Sequence, residues 1–319
     1  MKKTQISTAF DLYQKCGVFF IVLLEIVIFS FLSGNFLTLS NFLTVGRQVS
    51  FIGIAAVGCT FLMITGGIDI STGSMLAFSG VLCTMLIVNH GVPIFVAIIV
   101  TLILGFLLGG VSGLAYTRFH ISPLIATLAM QTILKGIAFL LTDAEPIYGL
   151  PDAFKYLGQG YLFGVFPVPL LIMLVVFACG FWVLNYTYIG RYVYAVGGNA
   201  EATRLSGINI KSVNTLVFCV SGLFAAFAGI LMAARLGSGQ PSIGVDFPMD
   251  VITAIVLGGV SVNGGKGKIT GVFFGVFIMG ILGNGMIMIG LNDYWQWLVK
   301  GLVLLFAVAA SNIEAKKTK

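Results

Sequence analysis

Residues 92–117 read VPIFVAIIVTLILGFLLGGVSGLAYT, a run of 26 residues without one charged side chain. A bilayer core about 30 Å thick needs about 20 apolar residues wound as a helix, so this run is long enough to cross it. The pattern recurs along the chain. Nine further apolar segments lie at about 16–34, 49–65, 73–89, 121–142, 167–187, 213–234, 249–262, 269–290 and 295–311, giving ten candidate crossings. The eighth is short for a full span, and the second and third are minimal and separated only by residues 66–72. Either region can hold a broken or re-entrant helix, so eight to eleven crossings fit the pattern.

Composition agrees. Apolar residues make up 58% of the 319 residues and charged residues 9%, against roughly 25% charged in soluble domains. A soluble enzyme, a disordered linker and a disulfide scaffold are thereby excluded. The expected fold is an all-α polytopic membrane protein with about ten helices. No linker or compositional break divides it, so residues 1–319 read as one membrane domain. Lys2 and Lys3 before an apolar run resemble a signal peptide, but no small-x-small cleavage site follows, which predicts a retained first helix.

The formal charge of +6 points to lipid-adjacent loops rather than to nucleic acid, because membrane proteins keep Lys and Arg in cytoplasmic loops. With ten spans and an inside N-terminus, the inside segments hold Lys2, Lys3, Lys15, Arg118, Arg191, Arg204, Lys211, Lys266, Lys268, Lys316, Lys317 and Lys319. The outside segments hold only Arg47, Lys155 and Arg235. Both termini are therefore expected in the cytoplasm. Residues 143–166 become an external loop with a short surface helix near 151–157, and residues 188–212 a cytoplasmic one.

Glycines recur at helical spacing. Gly105, Gly109 and Gly113 lie on one face of the fourth segment, and Gly271 and Gly275 on one face of the ninth, a spacing that lets helices approach closely in lipid. Gly66-Gly67 with Thr72-Gly73 is echoed by Gly264-Gly265 with Thr270-Gly271, and each set joins two apolar segments.

Several apparent chemistries fail on inspection. Gly259 to Lys266 looks like a phosphate loop, but Gly265 intervenes before the lysine and Gly267 follows it, so no ATP site is expected in this chain. Gly110-Val111-Ser112-Gly113 matches an intramembrane serine protease pattern, but the only histidines, His90 and His120, read as loop or helix-end residues and no base is at hand. The five cysteines stand singly, without metal or redox spacing. Glu25, Lys135 and Lys300 lie within spans, where charges mark function or structural pairing.

Two stretches carry a family resemblance. Thr65-Gly66-Gly67-Ile68-Asp69-Ile70-Ser71-Thr72-Gly73-Ser74 resembles the G-G-I-D-L-S-x-G-S segment of bacterial ABC sugar permeases. Gly190 to Asn199, continuing through Glu201-Ala202-Thr203-Arg204-Leu205-Ser206-Gly207-Ile208, is similar to their cytoplasmic loop. The resemblance covers nearly the whole chain and lies in the branch whose members handle ribose, xylose, arabinose, galactose and autoinducer-2, with ribose the substrate it implies. It further implies a bacterial inner-membrane location and a second permease subunit, most simply a second copy. A periplasmic sugar-binding protein would sit outside, and a separate ATPase subunit that binds the ATP would sit inside. The E-A-A-x3-G motif of other permeases is only partly present, as Glu201-Ala202-Thr203 then Gly207, which indicates a different subclass. The rival readings are an ion-coupled carrier, for which one Glu and Asp69 are thin support, and the protease.

Two sites follow. At the break formed by Gly66, Gly67, Asp69, Ser71, Gly73 and Ser74, the Asp69 carboxylate is expected to accept backbone N–H groups freed by the interrupted helix; the alternative is a plain cytoplasmic turn carboxylate. In the stretch Gly197, Gly198, Asn199, Glu201, Ala202, Arg204, Leu205 and Gly207, a short helix over 200–206 is expected. Asn199 can cap it, Glu201 and Arg204 suit its two ends, and Gly207 can stop it. Ala202 and Leu205 would offer the face that seats in the ATPase.

Overall fold

The computed structural model describes residues 18–317; Lys2, Lys3, Lys15, Cys16 and Lys319 lie outside the described residues. In chain order the helices are α1 (Val18–Leu32), α2 (Leu39–Ile64), α3 (Thr72–Val88), α4 (Ile94–Phe119), α5 (Pro123–Thr142), α6 (Asp152–Gln159), α7 (Val168–Tyr186), α8 (Tyr188–Gly198), α9 (Ala200–Leu205), α10 (Ile210–Leu236), α11 (Phe247–Leu257), α12 (Ile269–Met288) and α13 (Asp293–Lys317). Two short antiparallel ladders, β1 (Ile147–Tyr148) with β4 (Ser238–Gly239) and β2 (Tyr161–Leu162) with β3 (Phe166–Pro167), sit at one end of the bundle. Six helices (α2, α4, α5, α7, α10 and α12) are long and apolar enough to cross a membrane, and α1, α3 and α11 are shorter apolar helices.

Most of α2 and α10 is buried, whereas α4, α5 and α7 expose most of their length. The exposed residues on α4, such as Phe95, Ile99, Ile103 and Leu107, are large and apolar, as a lipid-facing surface requires. The centre is built from small residues. A side chain at Gly222 of α10 would run into the Gly105 carbonyl and the Gly109 backbone of α4, and one at Gly113 would meet the Thr215 backbone 2.9 Å away. Without a hydrophobic drive between helices in lipid, this close approach gains dispersion contacts that larger residues would forbid. Gly271 and Gly275 of α12 do the same against Gly258 and Ala254 of α11.

The second segment begins at Leu39, ten residues earlier than its apolar run suggests, because Arg47 is accommodated: its guanidinium lies 4.4 Å from the Tyr161 ring centroid. The loop helix α6 is also no free surface element, since Phe154 is fully buried and Gln159 donates to the Arg235 carbonyl at 2.9 Å.

The eighth crossing is the main departure from the sequence reading. It is only half helical. After α10 the strand β4 leads into an irregular stretch, with a turn at Pro241–Ser242, that runs antiparallel to α3: Gly239 lies against Val81 and Thr84, and Gly244 against Gly73. Between these two contacts α3 rises about 12–16 Å. The helix α11 then adds about 16 Å for its 11 residues. The polar, irregular half reads as loop in the sequence.

The α4–α10 contact is backbone against backbone, so a side chain there cannot be relieved by rotation. Gly222→Leu is expected to lower stability by about 1–3 kcal/mol, the usual cost of overpacking. Gly136→Leu on α5, where nothing lies within 4 Å, is expected to be near neutral. Thermal unfolding of the two purified variants in detergent checks this.

Candidate functional site

The first predicted site lies where α2 ends. Gly66 takes φ +87; its N–H donates to the Met63 carbonyl at 2.9 Å, and the Gly67 N–H donates to the Leu62 carbonyl at 3.0 Å. These two bonds close the helix with a left-handed residue. The chain then turns back toward the bundle centre. Asp69, 6% exposed, accepts from the Ser71 N–H at 2.9 Å and the Ser71 hydroxyl at 2.6 Å through Oδ1. Its Oδ2 accepts from the Ser221 hydroxyl of α10 at 2.6 Å, and Cys59 Sγ lies 3.4 Å from the same hydroxyl. Ser221 is near the middle of α10, so Asp69 ties the break to the centre of the bundle. Ser71 and Ser74 are buried beside it. Gly73 leaves room for Gly244 and for Pro248, whose Cδ would stand 2.9 Å from a side chain there.

The second site is at the end of the bundle where α2 stops. Helix α9 covers Ala200–Leu205, with the Asn199 side chain accepting from the Ala202 N–H at 2.9 Å. Gly207 has φ +82, its N–H donates to the Arg204 carbonyl, and the Ile208 N–H donates to the Thr203 carbonyl. This is the same left-handed closure as at Gly66. Glu201 and Arg204 pair across one turn with both side chains mostly exposed, and the Glu201 carboxylate raises the Arg204 pKa. Thr203 is the one buried residue of α9, and its hydroxyl donates to Ala195 and Asn199 carbonyls, which fixes α9 to α8. Ala202 is exposed, and Leu205 is 78% exposed, an apolar side chain with nothing covering it.

The structure joins the two sites, which the sequence does not foretell. Residues 188–198, read as loop, form helix α8. Gly190 and Gly197 look like helix breakers in sequence, but here they permit contact: a side chain at Gly197 would strike the Ile64 carbonyl and stand 2.7 Å from the Gly265 N–H. Gly265 itself donates to Ile64 O at 2.8 Å, and the Tyr194 hydroxyl donates to the Gly267 carbonyl at 2.8 Å. Helix α8 therefore rests on the end of α2 and on the 258–268 loop at once, and Gly66 and Gly264, the echoed pair, face each other across this contact. Gly198 points into open space.

The remaining ionisable residues separate. Lys300 of α13 pairs with Asp250 of α11 at 2.8 Å, both largely buried. Glu25 keeps one buried oxygen without a partner, and Lys135 is exposed on α5. Ser112 is buried with its hydroxyl unpartnered, which leaves it without a base. Among the described residues no group of three His, Cys, Asp or Glu could hold a metal ion.

The bundle thus combines the break after α2 with helix α8, which rests on the end of α2 and carries the exposed α9. Residues 41–308 match the family described as branched-chain amino acid transport system / permease component, and the chain belongs to that family. It is 42% identical to the ribose import permease protein RbsC of Haemophilus influenzae over 95% of this chain and 94% of that one. It is 40% identical to the RbsC of Bacillus subtilis over 97% and 98%. The galactose/methyl galactoside import permease protein MglC of Escherichia coli is 33% identical over 95% of each chain. No solved structure matches it significantly.

Asp69→Leu removes the acceptor for three donors and should cost about 1–3 kcal/mol for each buried donor left unmatched. Asp69→Asn keeps one oxygen for Ser71, and the Ser221 hydroxyl can rotate to accept from the amide. The expected outcome is a large loss of folded protein for Leu and a small one for Asn, read by size-exclusion chromatography of fluorescently tagged variants. Equal yields would remove the staple role.

Proposed function

We propose that this chain is the permease subunit of a bacterial inner-membrane ABC importer for ribose. The observation that carries the reading is the identity of 40–42% to ribose import permeases across 95–97% of the chain. The two motif-bearing segments meeting under α8 give that reading a mechanism. The functional unit is two copies of the chain. Each contributes ten crossings (α1, α2, α3, α4, α5, α7, α10, the Ser238–Leu257 strand and helix, α12 and α13) and has both termini in the cytoplasm, as the distribution of Lys and Arg supports.

In this orientation α9 faces the cytoplasm and seats in a separate ATPase subunit, which binds the ATP; no cofactor belongs to this chain. The face with α6 and the two ladders receives a periplasmic sugar-binding protein. Coupling runs through rigid contacts. Leu205 and Ala202 bind the ATPase, Thr203 and the Gly207 turn fix α9 to α8, and α8 bears through Gly197 on Ile64 and Gly265. A displacement of α9 therefore arrives at the ends of α2 and α11 together.

Ribose uptake into proteoliposomes containing this chain, its ATPase and its binding protein, energised by internal ATP, tests the reading; uptake without the ATPase would overturn it in favour of a secondary carrier. Leu205→Asp should weaken co-purification of the ATPase at least tenfold, because the contact would bury an unpaired charge; Leu205→Met should not. Gly207→Val should impair ribose-stimulated ATP hydrolysis, since a β-branched residue resists positive φ at about 1–3 kcal/mol. Wild-type association by Leu205→Asp would move the docking surface elsewhere, with Lys266 and Lys268 the next place to probe.

A further inference from the structure

The half-helical eighth segment has a face that no described residue covers. Gly244 lies on Gly73, close after Asp69, whose carboxylate is bonded to Ser221 near the middle of α10. The stretch Ser242–Asp246 is therefore at mid-depth. Its residues Ser242 and Asp246 are exposed, as are Val245 at 68% and Met249 at 51%. From Ser242 to Asp246 the backbone belongs to no helix or ladder, and the Asp246 side chain makes no cap bond to α11. One turn further, Asp250 is held by Lys300, whereas Asp246 has no such ion pair among the described residues. At the same junction the fully buried Thr72 hydroxyl has no partner.

Lipid cannot cover this face. Open backbone at membrane depth persists only where protein buries it or water reaches it, and a carboxylate facing hydrocarbon is strongly disfavoured. A dry contact with a second copy is no better suited, because it would bury an unpaired carboxylate. A hydrated passage for a neutral polyol suits every group present. Adjacent sugar hydroxyls can donate a pair of hydrogen bonds to one carboxylate, free backbone N–H groups can donate to sugar oxygens, and Val245 and Met249 can meet the apolar C–H face of the ring.

We propose that Ser242, Val245, Asp246 and Met249 line the mid-depth passage of the sugar, with Asp246 the acceptor for its hydroxyls and the Asp250–Lys300 pair a positioning contact that keeps α11 in place. The assignment rests on the sugar-import reading above.

The test uses the full complex with ATPase and binding protein, in a chain whose five cysteines are replaced by serine or alanine. Single cysteines at 242, 245, 246 and 249 should react with a membrane-impermeant cationic thiosulfonate reagent, and ribose during turnover should slow that reaction at least threefold. A cysteine at the lipid-facing Leu107 should stay unreactive. Asp246→Asn should lower ribose uptake at least tenfold while leaving ATP hydrolysis stimulated by the binding protein within twofold; Asp246 makes no contact that folding needs, so the variant should assemble normally. Unreactive cysteines, or ready disulfide formation between copies at 245 with no labelling, overturn the proposal and mark the face as buried. Full uptake by Asp246→Asn overturns the role of the carboxylate. If the unmodified complex imports no ribose, the import reading fails instead, and labelling of the four positions still decides whether the strip is a hydrated passage.

Discussion

Lipid offers no hydrogen bonds, so a chain that stops being helical inside it must answer its own backbone. Here Asp69 shares that demand with the carbonyls of Leu62 and Met63, which take the Gly67 and Gly66 N–H groups. Asp69 supplies the Ser71 N–H with an acceptor, ties the same residue's hydroxyl, and reaches Ser221 on the central helix. With the break so fixed, α3 begins at the middle of the bundle, and its first turn presents Gly73 to Gly244. The second interrupted crossing can then lie against the first. Had α2 and α3 been one continuous helix, there would be no mid-depth surface for the 238–246 stretch to follow.

Glycine does at each junction what apolar side chains do in a soluble core. Gly222 between Gly105 and Gly109, Gly73 on Gly244, Gly258 beside Gly271, and Gly197 on Ile64 are all places where backbone meets backbone. Such contacts have little compliance, because no rotamer can yield. The peripheral helices, by contrast, carry the large apolar residues, which lipid accommodates in any packing. The bundle is therefore stiff at its centre and adaptable at its edge, the arrangement a machine needs if force applied at one end is to arrive at the middle.

The long apolar segments were legible in the sequence because crossing a bilayer imposes length and composition together, and each of them carries a helix. The α9 helix was equally legible: Asn199, Glu201, Arg204 and Gly207 act within one turn of where they stand, so local chemistry sufficed. What escaped was everything settled by distant partners. Arg47 reads as a boundary until Tyr161 is found over it. Ser238–Asp246 reads as loop because its polar residues give no apolar run, although α3 holds it at depth. Residues 188–198 read as loop because glycine penalises a helix, and only the Ile64 carbonyl and Gly265 explain why side chains are excluded there. Lys300 was recognisable as costly within a span, yet its partner Asp250, 50 residues earlier, belongs to a segment whose depth the sequence conceals.

The echoed glycine pairs gain a meaning from this geometry. Gly66 closes α2 and Gly264 turns the loop after α11, and the two face each other with the Gly265 N–H bonded to Ile64. Both interrupted crossings thus end at one point, and α8 sits on that point. Gly197 touches the end of α2 and the loop leading from α11 simultaneously. Further along, the two segments meet again at mid-depth, Gly73 on Gly244. The pair is therefore clamped at two levels, one at the end of the bundle and one at its middle. In the coupling proposed above, movement at the first level is taken up at the second, where α3 meets the irregular stretch that carries Ser242 and Asp246.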